Sequence, residues 1–296
     1  MIERRTFLST VLAAITTSSI NANWLKPALR IGISESMFGS QMNDGEKESM
    51  CGVFEIKDRT QCEFEVGSAA HIMKQLNAGE FQLSVMSGLD YAWSKAINQQ
   101  YCEPVVTTFT SGVRMKACVL VNRTSPAVKL QEIQGCTLAY SERLPQHAFV
   151  YLQHAITKLQ LPPSKLIKNT KSFSNADEGI ESVIDRQTDA VLVDADSWQA
   201  FQERKPARSK KLKVLDQSCS FPTAIILYHQ PSWNKVKMGL LRAALCLAHQ
   251  KPYSRQLLNF LGVSKFVLYG KEYEQVVEEV RKEIPTTTQH TFLAQK

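Results

Sequence analysis

The stretch LNAGEFQLSVMSGLDY, residues 76–91, decides the class of the fold. It opens on the last turn of an amphipathic helix, because Ala69, Ile72, Met73 and Leu76 recur at the spacing that puts side chains on one helical face. Gly79 follows directly and supplies the residue that most easily takes the left-handed conformation closing a helix. Phe81–Met86 then reads as a short strand, Ser87-Gly88 as its closing turn, and Leu89–Ile97 as a return to helix. Helix, strand, tight turn and helix in such quick succession point to α/β architecture.

The same alternation extends in both directions. Upstream, Ala28–Ser34 reads as a strand, Asp44–Ile56 as a helix and Cys62–Gly67 as a second strand. Downstream, extended runs at Val105–Thr110 and Arg114–Val121 precede a short turn at Leu130–Ile133 and a strand at Cys136–Tyr140. Gln146–Leu159 is helical and ends before Pro162-Pro163. A small strand at Leu166–Asn169, a helix at Asp177–Asp185, a buried strand at Ala190–Val193 and a helix at Ser197–Glu203 follow. Strands at Leu212–Leu215 and Ala224–Tyr228, a helical stretch from Asn234 to Leu261 broken at Pro252, and an exposed helix at Tyr273–Lys282 complete the chain. The chain crosses its own middle twice, near 106–112 and 218–223, with a compact βαβ set between. This order predicts one lobe from both ends of the chain, residues 23–109 with 220–296, and an inserted second lobe, residues 110–219. Residues 286–296 are expected to form a flexible tail.

Composition narrows the class without naming a ligand. The 296 residues are 44% hydrophobic and 21% charged, which excludes a disordered or collagen-like chain. The net charge of +7 permits an anionic partner and does not demand one. Six Lys or Arg residues lie between Arg204 and Lys213, but this run contains Pro206 and lacks interleaved aromatics. It is expected to be a solvated loop, and no nucleic-acid partner is expected.

The first 22 residues have the pattern of an export signal. Arg4 and Arg5 form a positive start, and the uncharged run Thr6–Leu25 holds seven Ser or Thr, too polar for a good membrane span. Ile20-Asn21-Ala22 offers a cleavage site, and Arg4-Arg5-Thr6-Phe7-Leu8 resembles a twin-arginine signal, with a Sec signal as the alternative. Export would place the chain in the periplasm. Cleavage would leave 33 basic and 27 acidic residues, a balance of +6. All seven cysteines would survive, so an oxidising compartment leaves at least one unpaired within the chain. Cys118 and Cys136 read as small buried hydrophobes, and Cys51 with Cys62 is the candidate local bridge.

Catalytic patterns are missing. The chain has no Gly-x-Ser-x-Gly, P-loop, dinucleotide fingerprint or His-Glu-x-x-His. His147 and His154 lack a carboxylate at helical spacing between them, and Asp194-x-Asp196 alone reads more readily as a solvated turn than as a metal site. Met37, Met42, Met50 and Cys51 read as packing residues rather than a soft-metal site. No enzyme activity, cofactor or metal is expected.

The order of elements resembles a known family, the phosphonate-type (phosphate, phosphite or phosphonate) substrate-binding proteins of ABC importers. The quoted stretch is similar to that family's helix, glycine, strand, turn and tyrosine element. Leu130-Gln131-Glu132-Ile133-Gln134-Gly135 resembles the opening of the family's second lobe, and 181–194 (ESVIDRQTDAVLVD) resembles its helix, polar turn and strand. Leu261–Val267 with Tyr273 is similar to its C-terminal signature. The resemblance implies a two-lobed type II periplasmic binding fold, each lobe a mixed sheet flanked by helices. It also implies capture of a small, anionic ligand in an interlobe cleft for delivery to a membrane permease, by a protein expected to be monomeric. A sensor for a membrane kinase, or an exported small-molecule enzyme on the same scaffold, stays open as an alternative.

The ligand turn departs from the family. Its Ser/Thr-rich phosphoryl-binding run is replaced here by Tyr140-Ser141-Glu142-Arg143-Leu144-Pro145, where Ser141 remains and Glu142 repels a dianion. Arg143 either clamps an anion or pairs with Glu142. By position after strands and before helices, the candidate ligand-binding residues are Ser34, Glu35, Ser36, Ser87 and Tyr91 in the first lobe, and Ser141, Arg143, Asn175 and Asp194 in the second. Asp194 would meet a cationic group or cap a helix.

Overall fold

The computed structural model describes residues 29–38, 62–94, 102–109, 114–142, 144–250 and 264–284. The expected export signal, the helix at Asp44–Ile56, Cys51 of the Cys51–Cys62 bridge, and Arg143 lie outside these residues.

The described elements run β1 (Leu29–Ser34), a 3-10 turn (Glu35–Phe38), β2 (Cys62–Gly67), α1 (Ala69–Asn77), β3 (Leu83–Met86), α2 (Gly88–Ser94) and β4 (Cys102–Phe109). They continue with β5 (Arg114–Met115), β6 (Ala117–Asn122), a 3-10 turn (Leu130–Ile133), β7 (Cys136–Ser141), α3 (Gln146–Lys158), α4 (Pro163–Leu166) and β8 (Ile167–Phe173). Next come α5 (Ala176–Ile184), β9 (Ala190–Asp194), α6 (Ala195–Arg204), α7 (Pro206–Ser209), β10 (Leu212–Gln217) and β11 (Phe221–Pro222). The described elements finish with β12 (Ile225–His229), α8 (Lys235–Cys246), β13 (Lys265–Leu268) and α9 (Lys271–Glu283). The chain divides into two compact units, Met1–Arg114 with Pro222–Glu278 and Met115–Phe221 with Glu279–Lys296, so the second boundary runs through α9.

The first unit holds a six-stranded mixed sheet of order β13-β4-β12-β3-β1-β2. β1 runs parallel to both β2 and β3, with Ile33 opposite Val85, whereas β12 is antiparallel to β3 and β4. Parallel strands of one sheet need a crossover, and α1 supplies the one that carries the chain from β2 past β1 to β3. Ile72, Met73 and Leu76 of α1 are buried, its N-terminus is capped by Ser68 Oγ accepting from His71 N, and Gly79 takes φ +77° beyond its end. Truncating Leu76, which is fully buried, to alanine removes about 2–5 kcal/mol.

The second unit holds a five-stranded mixed sheet of order β10-β6-β9-β7-β8. β7 runs parallel to β8 and β9, and β6 runs antiparallel to β9 and β10. Cys118, Leu120, Ala139, Val191 and Val193 from the strands pack with Ile180, Val183 and Phe201 from α5 and α6. Strands buried on both faces by helices account for the near-continuous apolar runs of β6 and β9.

The structure departs from the sequence pattern at three places. The strand expected at Leu166–Asn169 is present as β8, but it starts at Ile167 and runs on to Phe173, because Pro163 takes the first position of a helical turn that holds Leu166, where its missing N–H costs nothing. The basic run at 204–213 is the end of α6, the short helix α7 and the start of β10, not a loop. The last helix is amphipathic rather than exposed: Tyr273, Val276, Val277 and Val280 are buried, and its charges lie on the other face.

Candidate functional site

In the first unit the candidate residues gather where the parallel strands β1 and β3 end. Ser34 is the last residue of β1 and is fully buried. Ser36 follows in the 3-10 turn, half-buried, while Glu35 between them is exposed. Ser87 follows β3, and its hydroxyl accepts from Asp90 N at 3.1 Å, capping the first turn of α2. That turn starts at Gly88 because backbone crowds it: a Cβ there would lie 2.1 Å from Pro222 O.

The helix so anchored carries two buried groups. Tyr91 is 2% exposed, its hydroxyl lies 3.5 Å from that of Tyr269, and its ring meets Tyr269 edge-on at 6.4 Å and Tyr273 at 6.2 Å. Burial, with the carboxylates of Glu274 and Glu278 adding to it, pushes the Tyr91 phenol well above its usual range, so it stays a neutral hydroxyl. Tyr273 donates to Thr223 O at 2.6 Å and ties the cluster to the segment between β11 and β12. Asp90, 4% exposed, accepts from the hydroxyls of both Ser34 and Ser36. Asp90 and Tyr269 were not among the sequence candidates. The pattern Ser87-x-x-Asp90 is a capping signature, so a signal for Asp90 was present, but not for the partners its carboxylate takes.

In the second unit Ser141, Asn175 and Asp194 lie along one edge, at or just beyond the carboxyl ends of β7, β8 and β9. Ser141 pairs in register with Phe173, and Tyr140 with Leu192. Ser141 is buried at the end of β7. Asn175 caps α5, its Oδ1 accepting from Glu178 N at 3.0 Å while its Nδ2 donates to Glu178 Oε1 at 2.9 Å. Asp194 caps α6, accepting from Ser197 N at 2.8 Å and from Ser197 Oγ at 2.6 Å. The cap role open to Asp194 from the sequence is therefore the one its carboxylate performs.

His147, in the first turn of α3, is buried beside the ring of Phe221 at 5.3 Å, with Nε2 3.4 Å from Lys116 O. Burial lowers its pKa, against the opposing pull of Asp194, the Lys116 carbonyl and Asp196. An imidazole held neutral in this way is a weak attractor for an anion.

The basic run has partners of its own. Arg204 bonds Asp177 at 2.7 Å, Lys205 lies 3.3 Å from Glu181, and Arg208 bonds Glu181 and, at 2.9 Å, Asp185. These pairs tie α6 and α7 to α5 beside an open depression of ≈ 690 Å³. Cations already matched by carboxylates leave little field for an outside anion. Among the described residues no group of three His, Cys, Asp or Glu is placed to hold a metal ion, and no helix is long and apolar enough to cross a membrane.

The family model for the periplasmic phosphonate substrate-binding protein of ABC transporters matches residues 56–272. None of the curated proteins matches the sequence. Among solved structures, XAC2383 of Xanthomonas citri, bound to chloride ion, superposes with a TM-score of 0.57 at 13% identity, covering 89% of this chain and 99% of that one. PhnD1 of Prochlorococcus marinus, in complex with methylphosphonate, gives 0.51 at 11% identity over 86% and 97%. A binding-protein component of an ABC phosphonate transporter from Pseudomonas aeruginosa gives 0.50 at 13% identity over 90% and 91%. The architecture of two mixed sheets flanked by helices is that of the type II periplasmic binding proteins. With the family match spanning most of its length, the chain belongs to the phosphonate family of periplasmic substrate-binding proteins of ABC transporters.

Proposed function

We propose that this chain is an exported solute-binding protein that captures a small anionic molecule, phosphonate-like or related, and delivers it to a membrane permease without chemical turnover. The observation that carries the reading is the placement of polar groups in each unit taken by itself. Ser34, Ser36 and Ser87 in one unit, and Ser141 in the other, stand at or just beyond the carboxyl ends of parallel strands, where open α/β sheets bind ligands. Tyr91 adds an aromatic wall with a neutral hydroxyl. The pattern Arg4-Arg5-Thr6-Phe7-Leu8 supports export by a receptor-read signal.

Thermal-shift screening of the purified protein against phosphonates, phosphite, phosphate, sulfonates and amino acids tests the reading. A ligand that binds the native state alone stabilises it by about 2.7 kcal/mol at a hundredfold excess over Kd. The expected result is a specific rise for one anionic class with the compound recovered unchanged. Conversion of the compound to a product would overturn the non-enzymatic reading.

A further inference from the structure

Three oxygen atoms meet at the carboxyl end of β1. Ser34 Oγ and Ser36 Oγ are 2.8 Å apart, and both bond Asp90 Oδ2, so every pair in the triangle is in hydrogen-bond contact. Three contacts call for three protons, and the two hydroxyls bring two. One contact therefore sets lone pair against lone pair. Ser34 is 0% and Asp90 4% exposed, so the missing donor can reach the corner only past Ser36. Half-buried Ser36 is the open side of the corner. Among the described residues no Lys, Arg or His pairs with Asp90, whose backbone N–H is already held by Ser87 Oγ.

We propose that this corner is a donor-accepting subsite: it receives an N–H or an acidic O–H of the bound ligand, which completes the proton count. The proposal rests on the binding reading above and sharpens it, because a ligand must then carry a proton donor as well as its anionic group. With both hydroxyl protons turned toward Asp90, Ser34 and Ser36 present lone pairs to the ligand. That is the reverse of serines that hold an oxyanion by donating to it. Fully ionised oxyanions without a donor meet only acceptors here and are rejected, since a buried acceptor facing an anionic oxygen is left unpaired.

Three probes separate the sources of the donor by isothermal titration calorimetry of the purified protein. Under mildly acidic conditions methylphosphonate keeps one P–OH, 2-aminoethanesulfonate carries an ammonium, and methanesulfonate has neither. Methanesulfonate is expected to bind about tenfold or more weaker than the better of the other two, the loss typical of one hydrogen bond to a charged group. The better probe identifies the donor as O–H or N–H. Asp90→Asn supplies an amide donor in place of the acceptor, which frees a serine proton to face outward. It should weaken the preferred probe by about tenfold and strengthen methanesulfonate, a reversal that mere loosening of the fold would not produce. If Asp90→Asn fails to fold, Ser36→Ala at the open side removes one acceptor and should narrow the same ratio. Equal affinity for all three probes, or a ratio unmoved by these substitutions, overturns the corner and leaves the binding reading standing. Failure of all three probes to bind overturns the corner, and the anionic-ligand reading falls with it when phosphite and phosphate also give no thermal shift.

Discussion

Gly88→Ala places a methyl group where the first unit has no room, at the start of the helix that carries Asp90 and Tyr91. The added Cβ would stand 2.1 Å from Pro222 O and 2.4 Å from Thr223 O. Both obstacles are backbone atoms, so no rotamer change relieves the clash and either α2 or the 222–223 segment must shift. Thr223 O also accepts from Tyr273 at 2.6 Å, and a shift there strains the tyrosine cluster as well. Overpacking costs about 1–3 kcal/mol, and rigid neighbours put this site at about 3. Alanine recovers about 1 kcal/mol through its better helix propensity. Sterics win, and the net loss is about 2 kcal/mol, or roughly 4–8 °C in Tm for a domain of this size. Urea denaturation should show a lower midpoint at unchanged slope. An unchanged or raised midpoint would mean that propensity prevails and that the close backbone approach at Gly88 is not present in solution.

Two further outcomes follow from buried titratable groups. His147 has a lowered pKa because burial disfavours its charged form, so below its ordinary value of 6.5 the unfolded chain binds a proton that the folded one refuses. Its contribution is therefore constant at neutral pH and is lost as pH falls from about 6.5 toward the folded value. His147→Gln should flatten the acid limb of stability against pH, and an unaltered limb would contradict the assignment. Burial pushes the thiols of Cys118 and Cys136 up to about 12, with Asp194 and Asp189 respectively adding to the shift. Both should resist iodoacetamide in the native protein and react after denaturation, since the thiolate is the nucleophile. Rapid native labelling of either, seen by mass spectrometry, would show that the strand cores open.

Local elements were legible where a short-range rule had no competitor. Ile72, Met73 and Leu76 announce the buried face of α1, and Gly79 announces its end by taking φ +77°. The basic run was misread for the opposite reason. Six cations within ten residues look like a solvated loop, because their carboxylate partners Asp177, Glu181 and Asp185 lie 23 to 27 residues upstream. Tyr273–Lys282 looked exposed because its charges outnumber its apolar residues, yet Val276, Val277 and Val280 share one buried side. Among the site candidates, the cap role of Asp194 is open from residue type and position alone, whereas Asp90 cannot be paired from the sequence.

The sequence alone determined the α/β class, the chain order of its elements and the family resemblance, because helix periodicity, turn residues and caps act within a few neighbouring residues. Tertiary structure alone decided which polar groups meet. Ser34 and Asp90 are 56 residues apart and come together because β1 and β3 are parallel neighbours whose carboxyl ends coincide. Strand order is set by long-range burial and pairing, which no local pattern encodes. The donors and acceptors that meet at the strand ends are therefore a property of the assembled sheet.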